Sequence, residues 1–177
     1  MPRIQPLPIN ETPPDVAAAY EQHQKDYHAR ITNMKSTLGH SLVAFEVYMD
    51  WYRLYARITE ITGERMAYLF AYAVSKGSNC PLCTTFFRKI IIDHGEKPEA
   101  LILDEKEQLL LDFGSAISQD HGKIPDELFE QVGKMYNTRE LVELIAFAGQ
   151  MIATNVFSNV IDTDIDEYLF SYLPFSK

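Results

Sequence analysis

Apolar residues recur at three- and four-residue intervals along most of this 177-residue chain, and nowhere do they alternate with period two for long enough to mark a strand. The amino terminus is the exception, because Pro6, Pro8, Pro13 and Pro14 predict an extended arm over residues 1–14. Asp15 to Arg30, with Val16, Ala19, Tyr20 and Tyr27, starts the first helix. Ser41 is suited to cap a long segment in which Leu42, Phe45, Met49, Tyr52 and Ala56 form one stripe. Gly63 breaks that pattern. Glu64 to Lys76 is a second apolar helix, with Gly77 placed for a left-handed C-cap. Cys80 to Asp93 follows and stops at His94-Gly95. Pro98 begins a connector to a helix opening at Asp104, where Glu107 completes a capping box. Asp126 to Tyr136 is shorter. A second box, Asn137 with Glu140, opens a long helix whose Leu141, Leu144, Ile145, Ala148, Ile152 and Val156 share a face. The closing "PFSK" is unassigned. No repeat or linker divides the chain, so the pattern predicts one domain over 1–177, an all-α multi-helix bundle.

Composition narrows the function classes. An apolar fraction of 46% with 12% aromatics argues for a packed core rather than disorder. With 16 basic against 25 acidic residues the net charge is −9, the wrong sign for a phosphate backbone, so no nucleic-acid partner is expected. No signal-peptide pattern opens the chain, and its longest uncharged apolar run, Leu144 to Phe157, is interrupted by Gly149, Gln150, Thr154 and Asn155. The expectation is a cytoplasmic protein with no membrane association. Trp51, Tyr52, Tyr55, Phe147 and Phe157 fall beside the main stripes, surplus apolar surface that predicts a homo-oligomer.

The candidate chemistry sits in "SNCPLCTTFFRKI", which holds the only two cysteines, Cys80 and Cys83. Proline is favoured at the first helical position, so Pro81 makes Cys80 the N-cap and sets both sulfurs in the first turn. Free N–H groups and the positive end of the helix dipole then favour a thiolate at Cys80, and a low-pKa thiol beside a second thiol is a dithiol switch. Two other readings compete: half of a metal site, or two small buried residues. Zinc wants four ligands, and His23, His28, His40, His94 and His121 offer no compact second pair. His94 lies about 16 Å along a straight helix from Cys83. No metal and no cofactor are expected.

The run "ERMAYLFAYAVSKGSN" leading into "CPLC" at a helix head resembles the carboxymuconolactone decarboxylase and alkylhydroperoxidase D-like family, over roughly His40 to Ile165 and specifically over Glu64 to His94. The resemblance implies an all-helical oligomer (trimer, hexamer or dimer), an active site where the CXXC helix meets the preceding one, and peroxidase or disulfide-exchange activity. It also implies a proton relay, a glutamate twelve residues before the first cysteine and a histidine four after the second. Here those positions hold Tyr68 and Phe87. Glu64, one turn before Tyr68, reaches the site only through water or the tyrosine hydroxyl, and His40 is the candidate base from elsewhere. Phe87 would desolvate Cys83 and raise its pKa, which makes Cys80 the expected attacking and more exposed thiol and Cys83 the resolving one.

Tyr68, Tyr72, Phe86 and Phe87 would form an aromatic pocket if the two helices pack antiparallel, suited to a small hydroperoxide or a dithiol substrate; equally, they are core residues. Three functions are therefore weighed. The chain is a thiol-dependent peroxidase or disulfide oxidoreductase, a non-catalytic oligomer with a redox-sensing or inert dithiol, or a decarboxylase of the carboxymuconolactone type.

Overall fold

The computed structural model describes residues 1–174, so all but the first residue of the unassigned "PFSK" lies outside it. Among the described residues there are nine α-helices and no strand: α1 (Pro14–Tyr27), α2 (Asn33–Leu38), α3 (Leu42–Met49), α4 (Trp51–Thr62), α5 (Glu64–Gly77), α6 (Pro81–Asp93), α7 (Glu105–Gln119), α8 (Asp126–Gly133) and α9 (Thr138–Ile161). Short 3-10 turns cover Ile9–Glu11 and Glu167–Tyr172. The fold is an all-α bundle.

Most helix ends follow the local chemistry. Ser41 accepts from the N–H of Ala44 at 3.3 Å, and both capping boxes form, Asp104 with Glu107 and Asn137 with Glu140. Gly63 separates α4 from α5 at φ 84°, ψ 157°, a conformation only glycine adopts readily. Three details differ from the pattern. The long segment after Ser41 divides at Asp50 into α3 and α4, although Asp50 itself keeps helical dihedrals. The first helix ends at Tyr27, with His28 left-handed at φ 49°, and the additional α2 is capped by Thr32. Gly77 is not a left-handed cap: Asn79 takes the positive φ of 49°, while Gly77 is the last residue of α5. Its missing side chain serves packing, since a Cβ there would lie 2.0 Å from the Ser118 hydroxyl on α7.

Helix α5 is the axis of the larger core. Every residue from Met66 to Ser75 is buried, and the helix packs against α4, α6, α7 and α9. A helix surrounded this way needs apolar or small residues on all faces, which is why its sequence lacks a polar stripe. A second, smaller core joins α1, α2 and α3 to the head of α6 and the C-terminal turn, through Val16, Tyr20, Leu38, Phe45, Leu82 and Leu169. The N-terminal arm is tied down, with Arg3 N–H donating to the Ile161 carbonyl at 2.7 Å and Leu7 N–H to that of Ser36 at 3.3 Å.

The apolar surplus lies elsewhere than the pattern places it. Trp51 and Phe147 are buried within the chain, and Tyr52, Tyr55 and Phe157 are partly buried against its cores. Val43, Val47, Val142, Ile145, Val156 and Val160 on α3 and α9 are among the exposed ones. Helix α9 is by length and composition apolar enough to cross a membrane, at mean hydropathy 1.5, yet one face, from Leu144 through Phe147 and Met151 to Ile161, is packed into the protein.

The close approach of α7 to α5 gives a stability test. A Cβ on Gly114 would stand 2.8 Å from the ring of Phe70, which is fully buried. Gly114→Ala is expected to lower the unfolding free energy by about 1–3 kcal/mol in urea titration, through overpacking.

Candidate functional site

Cys80 is the N-cap of α6, extended at φ −99°, ψ 105°, with Pro81 at the first helical position. Its Sγ accepts from the Cys83 N–H at 3.4 Å. Both thiols are free and buried. Hydrogen bonding from the Cys83 thiol, joined by backbone N–H groups of Cys83 and Leu82, holds the Cys80 pKa below its ordinary value. The same bond, together with burial, pushes Cys83 well above its own. The acidity order is as expected. The exposure order is not: Cys80 is 1% exposed and Cys83 7%, because the arm and the segment after α9 close over the helix head.

The two sulfurs also look in different directions. Cys83 lines a cavity of about 70 Å³ with Trp51, Tyr52, Phe86, Phe87, Tyr168 and Leu169 among its walls. Cys80 lines a separate, wider groove with Ser158, Asn159 and Asp162. The C-terminal turn that completes the cavity is anchored to α6, where Arg88 Nε donates to the Tyr172 carbonyl at 2.9 Å and Tyr172 OH donates to Asp93 at 2.9 Å.

One wall of the cavity is polar. Lys35, on α2, is 5% exposed and donates at 2.9 Å to each of His23 Nε2, the Arg30 carbonyl and the Tyr52 hydroxyl. Burial lowers its pKa to about 8, with Asp166 opposing, and burial with Lys35 lowers that of His23 to about 4. Since His23 Nε2 accepts from the ammonium, its Nδ1 carries the proton, and that atom has no partner among the described residues. Asp166 Oδ1 accepts from the Asn33 N–H at 2.9 Å, its Oδ2 is buried without a partner, and burial raises its pKa.

Solved structures with the same arrangement of helices place the fold. The chain superposes on the debrominase Bmp8 in its apo form with a TM-score of 0.76 at 15% identity, covering 96% of this chain and 95% of that one. A cysteine-to-alanine variant of Bmp8 in complex with 2,3,4-tribromopyrrole gives 0.78 at 15% identity, over 96% and 94%. An uncharacterized peroxidase-related protein from Silicibacter sp. TM1040 gives 0.68 at 13% identity, over 89% and 88%. The chain has the alkylhydroperoxidase D-like fold. No protein-family model matches the sequence, and no curated protein matches it.

Within the alkylhydroperoxidase D-like fold, the residues singled out in the sequence separate. Phe86 and Phe87 border the cavity beside Cys83. Tyr68 and Tyr72 share the larger core with Phe87 but line neither the cavity nor the groove. Tyr68 donates to Glu96 at 3.2 Å, and its ring lies 5.1 Å from His94, at the far end of α6 from the thiols, because α5 and α6 run antiparallel. Glu64 is exposed, and His40 is exposed with Nε2 3.0 Å from the Gln5 carbonyl. Neither borders the thiol cavity. Among the described residues, no group of three or more His, Cys, Asp or Glu is arranged to hold a metal. The residues missed were Lys35, Tyr52 and Asp166. One signal was available, since Lys35 is the sole formal charge between Arg30 and Glu46.

Burying His23 neutral has a stability consequence. The unfolded chain binds the extra proton between its ordinary pKa of 6.5 and the folded value of about 4, so the contribution is full above that window and lost as pH falls through it. Chemical denaturation across pH 4–7 is expected to show a steeper acid loss in wild type than in His23→Gln.

Proposed function

We propose that the protein is a dithiol-dependent reductase of small, largely apolar organic electrophiles, with Cys83 as the attacking thiol and Cys80 as its proton acceptor and resolving partner. The observation that carries this reading is that Cys83 borders an aromatic cavity while its backbone N–H donates to the Sγ of the acidic Cys80 at a helix head. An attacking sulfur must touch the substrate, and the cavity is bordered by Cys83, not Cys80. This reverses the roles that helix position alone assigns.

The steps balance as follows. The Cys83 proton passes along its hydrogen bond to the Cys80 thiolate, and Cys83 attacks the terminal oxygen of a hydroperoxide. The O–O bond breaks, the alkoxide takes a proton and leaves as an alcohol, and Cys83 becomes a sulfenic acid. The Cys80 thiol attacks that sulfur, water departs, and a disulfide remains. A brominated heteroaromatic ring, the ligand of the structurally similar debrominase, follows the same sequence. Sulfur then takes bromine, the ring carbon takes a proton, and bromide and a proton depart when the disulfide closes. An external dithiol returns the two electrons. A cavity of about 70 Å³ favours a single small ring or short chain.

Reduced wild-type protein with cumene hydroperoxide or 2,3,4-tribromopyrrole is expected to yield one reduced product per disulfide formed, read by mass spectrometry and thiol titration. Cys83→Ser should abolish product, at least 10³-fold slower. Cys80→Ser should allow one slow turnover that leaves Cys83 oxidised. Product from Cys83→Ser at the wild-type rate would return the attacking role to Cys80. Unreactive thiols with both probes would leave the inert dithiol reading.

A homo-oligomer is proposed with it. Val142, Ala146, Gly149, Ala153, Val156 and Val160 recur at alternating four- and three-residue steps on the exposed face of α9, with no charge among them. A Cβ on Gly149 would meet nothing within 4 Å, so a second helix has room to approach. Light scattering at micromolar concentration is expected to give a multiple of 20.3 kDa, and Val156→Glu with Val160→Glu to give the monomer.

A further inference from the structure

We propose that Tyr52, held in place by the Lys35 ammonium, is the proton donor to the substrate reduced at Cys83. The proposal rests on the dithiol reductase reading and supplies what that reading lacks. In both reactions the departing centre, an alkoxide oxygen or a ring carbon, needs a proton as the bond to sulfur forms. The thiols do not deliver it, because the Cys83 proton has moved to Cys80, whose sulfur borders the other groove. The position one turn beyond Cys83 that would hold a histidine is Phe87.

Tyr52 and Lys35 line the same cavity as Cys83. The hydroxyl oxygen of Tyr52 accepts from Lys35 Nζ at 2.9 Å, while its own proton goes to no acceptor among the described residues. The ring is clamped, with Tyr27 stacked at 4.4 Å and Trp51 at 4.3 Å between centroids. All three ammonium protons of Lys35 are engaged at 2.9 Å, which fixes the hydroxyl's accepting side and leaves its donating side to the cavity. A phenol so oriented is a donor awaiting an acceptor.

Burial raises the Tyr52 pKa, which would make it a poor acid alone. The ammonium removes that difficulty. As the departing oxygen or carbon takes the hydroxyl proton, the phenol oxygen takes one from Lys35, so no tyrosinate forms and the net donor is an ammonium with a pKa of about 8. In debromination the proton released when Cys80 closes the disulfide balances the one consumed; in the hydroperoxide reaction that proton leaves in the water, and the one Lys35 has given up is returned when the external dithiol restores the Cys80 thiolate and releases a proton. Tyr52 is thus the catalytic donor and Lys35 the positioning and recharging residue behind it.

The test compares electrophiles that need a proton with one that does not. Single-turnover rates of the reduced full-length chain are measured with cumene hydroperoxide, 2,3,4-tribromopyrrole and iodoacetamide, the last alkylating thiols without protonation of its leaving group. Tyr52→Phe keeps the ring and removes the hydroxyl. It is expected to slow the first two reactions by about 10²-fold or more while leaving alkylation within about twofold. Lys35→Met should do the same. Equal slowing of all three probes would mark Tyr52 as structural, and no slowing of any would remove it from the reaction; either overturns the proposal. Wild type that reduces neither hydroperoxide nor bromopyrrole would overturn the reductase reading itself, a result distinct from both.

Discussion

Helix α6 belongs to two hydrophobic cores at once, and the candidate site exists because of that division. Phe87 and Ile91 pack with α5 and its neighbours, whereas Cys80, Leu82 and Cys83 pack with the N-terminal helices and the C-terminal turn. The first turn of the helix, where unpaired N–H groups stabilise a thiolate, is therefore buried by elements distant in sequence rather than left in water. The acidic thiol and the cavity come from the same packing.

That packing sets the polarity of the cavity as well. Closing the second core requires α2 and the C-terminal turn to meet beneath α4, and the Asn33 to Asp166 and Arg88 to Tyr172 bonds hold them there. The arrangement buries Lys35 against His23 and Tyr52, both of which accept from its ammonium. A buried ammonium is costly unless each of its donors is matched, and here each one is. The result is a charged wall facing an aromatic one, with a thiol between them. The larger core, by contrast, is conventional packing around α5. Tyr68 serves there as a hydrogen-bonded anchor to the Arg65–Glu96 pair rather than as part of a proton relay.

Much of the scaffold was legible in the chain itself, because it depends on neighbours within one helical turn. Ser41, Asp104, Asn137, Pro81 and Gly63 act through their own backbone or that of residues three positions away, so their roles follow from local chemistry. The same holds for the acidity order of the two thiols, which a cap position and one intervening turn determine. Gly77 was misread for the complementary reason. Its absent side chain answers to Ser118 on another helix, and a chain read locally assigns it to a turn.

Tertiary structure alone decided which residues share the cavity. Lys35, Tyr52 and Cys83 come from three separate helices and Asp166 from the segment before the C-terminal turn, and no periodicity within one helix brings them together. It likewise left Glu64, His40, Tyr68 and Tyr72 out of the cavity lining; antiparallel packing sends the start of α5, with Glu64 and Tyr68, to the far end of α6, and His40 lies at the surface. The sequence by itself determined the all-helical architecture and a pair of cysteines in the first turn of a helix, since both rest on interactions of short range along the chain. The surroundings of that dithiol rest on burial shared among distant segments, a property that appears only when those segments have packed.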